Sequence, residues 1–271
     1  MDKIEISRER SNLAVGLVGG PTMVIDYGGL RLVTDPTFDA PSSPDGRLVK
    51  LEGPAVTADV VGTADAVLLS HEAHFDNFDL SGRDYAAEAV RTITGLHAAE
   101  RVKGNVTGLE PWQTAELTRP NGEKVTITAV PADHGPADGL RDEWDNINCE
   151  VVGFVVTSTG LPSIYVSGDN ASIERVREVA AAFPQIDIAI LFTGAARVDF
   201  KEQGRPLTLT AERAADAALI LGSPRIVPAH FRGWNHFSQG PDDMISAFED
   251  AGIRERLQVP EPGIWTVRDP A

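Results

Sequence analysis

The most informative stretch of this 271-residue chain for its fold is Ser70-His71-Glu72-Ala73-His74-Phe75-Asp76-Asn77-Phe78-Asp79. It follows the apolar run 66–69, which has the length and composition of a short buried strand. Two imidazoles, His71 and His74, lie close in sequence to the carboxylate of Asp76. Nitrogen and hard oxygen ligands without a thiolate suit Zn²⁺, Mn²⁺ or Fe²⁺. The stretch therefore predicts a site for one or two divalent metal ions, with zinc as the first choice; the alternative for this stretch taken alone is a polar loop that binds no metal.

Three more ligand-type residues stand at the ends of other apolar runs. Loops at strand ends are where a rigid sheet presents functional side chains. Ligands that arrive from different strand ends at one edge can form a single metal site, so we predict that these three join the ligands of the 70–79 stretch. The three residues, each with the apolar run that it follows, are His134 (125–130), Asp169 (164–167) and His230 (226–228).

The pattern of apolar runs changes along the chain. The first third holds short strands separated by Gly-Gly turns, whereas the second half places helices between strands. This predicts an α+β protein in which two mixed sheets pack together with helices outside, a four-layer αββα sandwich, as a single domain over 1–271. Loops are predicted at 36–53 and 131–148. The predicted strands are 13–18, 22–27, 30–34, 66–69, 125–130, 151–158, 164–167, 186–192, 226–228 and 264–267, and the predicted helices are 84–90, 172–183, 210–221 and 241–251.

The composition excludes several other classes of protein. Lys and Arg total 24 and Asp and Glu total 40, a formal net charge of −16, so no basic surface for nucleic acid or anionic lipid is expected. The single cysteine cannot form an internal disulfide or a cysteine-rich zinc site. No apolar run approaches the roughly 20 residues that span a bilayer, and the charged N terminus MDKIEISRER does not have the form of a secretory signal. We therefore expect a cytoplasmic protein without membrane partners.

The order of these elements resembles the metallo-β-lactamase superfamily. The shared order is a strand and a His-rich loop, then a lone His, a Gly-Asp pair and a last His, each after a further strand. Within the superfamily the chain looks most similar to the branch that contains ascorbate-6-phosphate lactonase and related metal-dependent hydrolases. The resemblance runs from about Ala14 to the last strand. Local matches are Val33-Thr34-Asp35-Pro36, Ser167-Gly168-Asp169 and Pro228-Ala229-His230 followed by Gly233-Trp234-Asn235-His236-Phe237.

The resemblance assigns the ligands of a first metal. His71 and His74 match the first two histidines of the family's His-x-His-x-Asp-His motif, and His134 matches its third histidine. Asp169 matches the carboxylate that bridges the two ions of the family.

The resemblance assigns a second metal less completely. Asp76 matches the aspartate of the motif and His230 the final histidine, both of which bind the second ion of the family. Two residues separate His71 and His74 where the family has one, and Asn77 stands where the motif ends in a histidine. An amide oxygen is a weaker zinc ligand than an imidazole. The second site is thus expected to bind its ion loosely, to prefer a harder ion such as Mn²⁺, or to be empty.

Several other side chains are candidates for supporting roles. Asn77 and Asp79 are expected directly behind the ligands, with Asp79 orienting a ligand imidazole. His236 is predicted to donate a proton to a leaving group or to bind substrate; the alternative is a packing histidine beside Trp234. Cys149 is expected to be a small buried side chain rather than a nucleophile. The loop after 186–192 carries three cations, Arg197, Lys201 and Arg205, which are expected to be solvated; the alternative is that they meet an anionic substrate.

The resemblance implies a metal-dependent hydrolase. A divalent ion held by three imidazoles leaves a position for water, whose pKa would fall from about 15.7 to about 7. Oriented by Asp76 or Asp169, the hydroxide would attack a small-molecule ester, either a lactone or a phosphoester, and an anionic substrate is not excluded by the net charge. The alternatives are an iron-dependent redox enzyme of the same fold and a non-catalytic binding module. The sequence leaves the oligomeric state open, a homo-oligomer included.

Overall fold

A computed structural model of the protein describes residues 5–43 and 46–269. Three sequence expectations extend beyond these residues: the N terminus includes 1–4, the loop 36–53 includes 44 and 45, and the domain ends at 270–271. The strands are β1 (Leu13–Gly19), β2 (Thr22–Tyr27), β3 (Leu30–Thr34), β4 (Ala66–Leu68), β5 (Thr92–Gly95), β6 (Val106–Leu109), β7 (Thr114–Thr118), β8 (Lys124–Pro131), β9 (Val152–Ser158), β10 (Ile164–Val166), β11 (Ile188–Phe192), β12 (Arg225–Ala229) and β13 (Trp265–Arg268). The helices are α1 (Ala58–Val61), α2 (Leu80–Glu88), α3 (Ile173–Ala182), α4 (Ala211–Ile220) and α5 (Pro241–Asp250).

The strands form two mixed sheets. The first has the order β13-β1-β2-β3-β4-β5-β6, antiparallel from β13 to β3 and parallel from β3 to β6. The second has the order β12-β11-β10-β9-β8-β7, parallel from β12 to β10 and antiparallel from β10 to β7. The predicted fold class, two packed sheets flanked by helices, is confirmed.

The alternation of side chains along the strands separates two layers of core. On β1, Val15 and Leu17 belong to the large core that also includes Val125 and Ile127 of the second sheet. Val18 of the same strand belongs to a smaller cluster on the other side of the first sheet. Because successive strand residues point to opposite faces, both faces of this sheet are buried.

The helices cover the outer faces. The smaller cluster includes Val61 of α1 and Ala86 of α2, whereas α3, α4 and α5 contribute Val176, Ala214 and Met244 to the large core. Each helix buries an apolar stripe against a sheet, which is the four-layer arrangement that the sequence predicts. Among the residues that the structure describes, no helix is long and apolar enough to cross a membrane.

The strand directions bring the predicted ligands together. β3 and β4 are parallel neighbours, and β8, β10 and β12 of the second sheet all run in one direction because two antiparallel steps separate β8 from β10. Strands that run in one direction end at the same edge of a sheet. The loops that follow β4, β8, β10 and β12 therefore meet at one end of the sandwich.

The first half of the structure contains four elements that the sequence does not predict, the short helix α1 and the strands β5, β6 and β7, and one helix begins earlier than predicted. The strands β5, β6 and β7 lie within segments that were assigned no strand. The edge strand β7 exposes three of its five residues. A short, polar edge strand has few buried apolar residues, so its hydrophobic pattern is weak in the sequence. The helix predicted at 84–90 is α2, which begins at Leu80 because the side chain of Asp79 accepts a hydrogen bond from Gly82 N and caps the helix.

Candidate metal centre

Three imidazoles form the first group of the site. His71 Nε2 lies 2.9 Å from His74 Nδ1, which in turn lies 3.3 Å from His134 Nε2. The Oδ2 atom of Asp169 is 3.5 Å from His134 Nε2. Ligand atoms that surround a tetrahedral zinc ion at about 2.0–2.1 Å lie about 3.3 Å from one another. The spacing of these four donor atoms therefore fits a divalent ion.

A second group lies on the other side of Asp169. Oδ2 of Asp76 lies 3.4 Å from His230 Nε2 and 3.0 Å from His236 Nε2. Oδ1 of Asp169 lies 3.5 Å from His230 Nε2. His230 is fully buried, and among the residues that the structure describes neither of its ring nitrogens has a hydrogen-bond partner. A buried imidazole in this state beside two carboxylates is an environment that suits a bound cation.

The backbone adopts unusual conformations at two positions beside or within the ligand set. Asp169 follows Gly168, whose φ is 56° and where a Cβ would lie 2.8 Å from Ser70 Cβ. His230 itself adopts a positive φ of 52°, and its N–H donates to Gly20 O at 2.8 Å. A positive φ outside glycine costs about 1–3 kcal/mol, so the surrounding contacts hold His230 in place against backbone strain.

Contacts at the outer ring nitrogens of His71 and His134 orient the imidazoles of the first group. Ser70 Oγ lies 3.0 Å from His71 Nδ1, and the carbonyl of Leu207 lies 2.9 Å from His134 Nδ1. Ser70 N donates to the buried carboxylate of Asp35 at 2.6 Å. Contacts of this kind at the outer nitrogen select the tautomer that presents the other nitrogen to a metal.

We expect Ser70→Ala to weaken metal binding at the first group about 10- to 100-fold, because His71 loses the partner of its Nδ1. Competition with a chromogenic chelator would measure this affinity. Ser163→Ala is the matched control, since Ser163 bonds Gln185 O and Asp187 in the 163–187 region. Equal affinity in the two variants would contradict the prediction.

Burial keeps the first group neutral. Burial lowers the pKa of His71 to about 4, and it also holds the pKa values of His74 and His134 below the ordinary value. At pH 7 these imidazoles therefore carry no extra proton, and each has a lone pair for a metal.

The second group attracts positive charge. Burial acts to lower the pKa of His230, but the carboxylates of Asp169 and Asp76 outweigh it and raise the pKa to about 10. Burial likewise acts to raise the pKa of Asp76, but the facing imidazoles of His236 and His230 hold it well below its usual range. The paired carboxylates thus stay ionised and draw a cation into the site.

The residues around Asp76 depart from the expected roles. Asn77 Nδ2 donates to Asp169 Oδ1 at 3.2 Å, so this amide acts on the carboxylate between the two groups. The expectation that Asp79 orients an imidazole is wrong. Its oxygens accept hydrogen bonds from the backbone of Phe38, Asp39 and Gly82 and from Lys50 Nζ. Asp79 instead connects the 36–53 loop to the metal-binding motif through these hydrogen bonds.

Three further side chains lie at the site, and the sequence indicates only one of them, His236, as a functional residue. His236 belongs to the second group by its 3.0 Å distance to Asp76. The sulfur of Cys149 and the ligand atoms of His71, His74 and His134 all lie within 4.8 Å of one another. Lys201 Nζ lies 3.4 Å from His74 Nε2 and donates to Asn148 Oδ1.

The sulfur of Cys149 therefore adds a soft donor to a site that the composition indicated as nitrogen and oxygen only. Burial raises the pKa of its thiol, so without a metal the sulfur stays protonated. The expectation of a solvated loop fails only for Lys201. Arg205 pairs with Asp138 and Glu202, and Arg197 bonds Gly204 O and Ser238.

A cavity of about 220 Å³ opens onto both groups. Its lining combines ligand-type side chains, apolar side chains and the two cations of Lys201 and Arg47. The ligand-type residues are His74, Asp76, His134, Asp169 and His236, and the apolar residues are Leu48, Ala196, Val198, Phe200 and Leu207.

Comparison with known proteins identifies the family. A model described as a β-lactamase superfamily domain matches residues 30–231. The chain belongs to the β-lactamase superfamily. A UPF0173 metal-dependent hydrolase of Pyrobaculum aerophilum is 26% identical over 254 residues, which cover 90% of this chain and 95% of the relative. The superfamily resemblance drawn from the strand-end ligands is confirmed, and so is the prediction of a hydrolytic enzyme at the level of class.

Two solved structures show the same fold. Isothiocyanate hydrolase from Delia radicum gut bacteria superimposes with a TM-score of 0.76 at 20% identity, covering 93% of this chain and 97% of that protein. A possible metal-dependent hydrolase from Veillonella parvula superimposes with a TM-score of 0.76 at 14% identity, covering 94% and 99%. At these identities the likeness extends to the four-layer architecture.

Proposed function

We propose that this protein is a metal-dependent hydrolase that cleaves an ester bond, a lactone or a phosphoester, in a small molecule. The observation that carries the proposal is the lining of the cavity: two groups of ligand-type side chains, joined by Asp169, face a space that apolar side chains and two cations also line. When bound there, divalent ions would lower the pKa of a coordinated water and polarise the ester.

The protein's own residues would hold these ions and orient the reactants. His71, His74 and His134 offer three neutral nitrogens to a first ion, and Asp169 offers one carboxylate oxygen to each side. Asp76 stays ionised at neutral pH and faces the cavity, so it can accept a hydrogen bond from an attacking water and orient it. Burial of the site strengthens each of these electrostatic contacts.

The cavity indicates a small substrate with an apolar part and an anionic part. Its volume of about 220 Å³ is below the 300–1,000 Å³ that is typical of pockets for drug-sized ligands. Phe200 and Leu207 supply apolar contact, and Lys201 supplies a charge beside His74. If His74 binds an ion through Nδ1, its Nε2 carries the proton and cannot accept from Lys201. The ammonium group of Lys201 then keeps hydrogen-bonding capacity for a carboxylate or phosphate of the substrate.

A substrate panel tests the function. Metal-free protein would be reloaded with Zn²⁺, Mn²⁺ or Fe²⁺ and assayed on lactones and phosphoesters, each as an anionic compound and as its neutral counterpart. We expect hydrolysis of at least one bond type to rise about 100-fold or more on loading, and anionic compounds to be preferred. Loaded protein that hydrolyses none of them, or that consumes oxygen with Fe²⁺ instead, would contradict the proposal.

The panel also separates the role of Lys201 from that of the metal ligands. Lys201→Met should raise KM for the anionic compounds about tenfold while leaving that of the neutral ones within about twofold. Arg177→Met is the matched control, because Arg177 pairs with Glu174 on the exposed side of α3.

A further inference from the structure

The second group lacks the imidazole that the family motif would supply. Asn77 occupies that place, and its amide is engaged with Asp169 through Nδ2 at 3.2 Å. The opposite amide orientation would bring Asn77 Oδ1 against a carboxylate oxygen, which repels it, so the nitrogen faces Asp169. An amide nitrogen has no lone pair for a metal. Asn77 in this arrangement donates to the carboxylate through Nδ2, and its Oδ1, a weaker zinc ligand than an imidazole, has no hydrogen-bond partner among the described residues.

His236 brings an imidazole to the same place from a different part of the chain. Its Nε2 lies 3.0 Å from Asp76 Oδ2, and His230 Nε2 lies 3.4 Å from the same oxygen. The donor atoms of Asp76, His230 and His236 all lie within 4.8 Å of one another. Asp169 Oδ1, at 3.5 Å from His230 Nε2, is a fourth donor atom. These measured distances between donor atoms are close to the roughly 3.3 Å that separates ligand atoms around a tetrahedral zinc ion.

The loop that carries His236 is held on both sides. Asn235 exchanges backbone and side-chain hydrogen bonds with Val49, at 3.0 and 2.8 Å. Ser238 N donates to Gly194 O at 3.0 Å, and Arg197 N donates to the carbonyl of His236 at 2.9 Å. The side chain of His236 is only 6% exposed. The loop therefore presents this imidazole to Asp76 with little freedom to turn away.

We propose that His236 is a ligand of a second metal ion, in place of the motif histidine that Asn77 has replaced. Asp76, His230 and Asp169 complete the site. The second ion is then bound by two imidazoles and two carboxylates, so it is neither loose nor absent as the substitution at Asn77 alone would imply. The proposal rests on the proposed function only in requiring that the protein bind divalent metal.

Metal stoichiometry tests the proposal without any assay of activity. Wild type, His236→Ala and His97→Ala would be loaded with Zn²⁺, dialysed and analysed for metal. His97 is the matched control because its ring stacks on Trp144 with centroids 4.4 Å apart and belongs to neither group. We expect about two ions per chain in wild type and His97→Ala and about one in His236→Ala.

The outcomes distinguish the two proposals. Wild-type protein that binds no ion contradicts the proposed function itself. Wild-type protein with one ion, or His236→Ala with the wild-type content and affinity, overturns the role of His236 and leaves the proposed function standing.

A cysteine variant gives a spectroscopic answer that does not depend on the folding of His236→Ala. In Co²⁺-loaded His236→Cys we expect a sulfur-to-cobalt charge-transfer band in excess of any band in wild type, whose Cys149 lies beside the first group. A spectrum equal to that of the wild type in this region would overturn the proposal.

Discussion

Asp169→Ala is expected to lower kcat/KM for any hydrolysed substrate by at least about 10³-fold and to reduce bound metal at both groups. Asp169 is 1% exposed, and its two oxygens lie 3.5 Å from His134 Nε2 and from His230 Nε2. It is the side chain that links the two groups. Loss of several kcal/mol of metal-based stabilisation corresponds to this change in rate, because each 1.36 kcal/mol is about tenfold.

Metal analysis and steady-state kinetics on the same preparation would measure both effects. Asp138→Ala is the matched control, since Asp138 is an exposed carboxylate of the 131–148 loop that pairs with Arg205. Thermal unfolding of each variant would show whether the loss is local. If Asp169→Ala keeps full metal content and activity, the assignment of the site is wrong.

The second large effect is expected from Asp79→Ala, which should lower the free energy of unfolding by about 3–5 kcal/mol. Lys50 Nζ lies 2.8 Å from Asp79 Oδ2, and the two side chains are 4% and 1% exposed. Without the carboxylate a buried ammonium has no counter-charge, and the cap of α2 at Gly82 N is lost as well. Urea unfolding of the metal-free protein would measure the change.

Two comparisons make this result interpretable. Replacing both partners, as Lys50→Met with Asp79→Leu, should cost less than Asp79→Ala because no unpaired charge stays buried. Glu52→Ala breaks the exposed pair with Arg232 and should cost no more than about 1 kcal/mol. An Asp79→Ala protein within about 1 kcal/mol of the wild type would show that the pair does not hold this loop.

Much of the fold could be predicted from local pattern. Runs such as 13–18 and 22–27 alternate between two buried faces, and Gly-Gly turns separate them, so strand period and turn chemistry indicate the same elements. Thr210 and Ser172 cap α4 and α3 where the helical spacing begins. The edge strands β6 and β7 could not be predicted. An edge strand pairs with only one neighbouring strand and buries less surface, so its sequence need not alternate between apolar and polar residues.

The site could be predicted only where ligands follow strands directly. His71, His134, Asp169 and His230 each stand after an apolar run, and the parallel strand directions place those ends together. Lys201 gives no such signal. It lies in a loop with two other basic residues, and nothing in the sequence separates the one that enters the cavity from those that pair with Asp138, Glu202 and Ser238.

The sequence by itself determined which residue types meet at the strand ends, and therefore the superfamily and the histidine and aspartate ligands, but not the sulfur of Cys149 beside them. The tertiary structure alone decided the roles of Asn77 and His236. Motif spacing in a sequence can identify only ligands that lie in the same loop. The replacement of the motif histidine by Asn77 therefore predicts a second site that binds metal weakly. An imidazole that reaches Asp76 from beyond β12 is positioned by hydrogen bonds to Val49 and Gly194, and only the folded chain brings those contacts together.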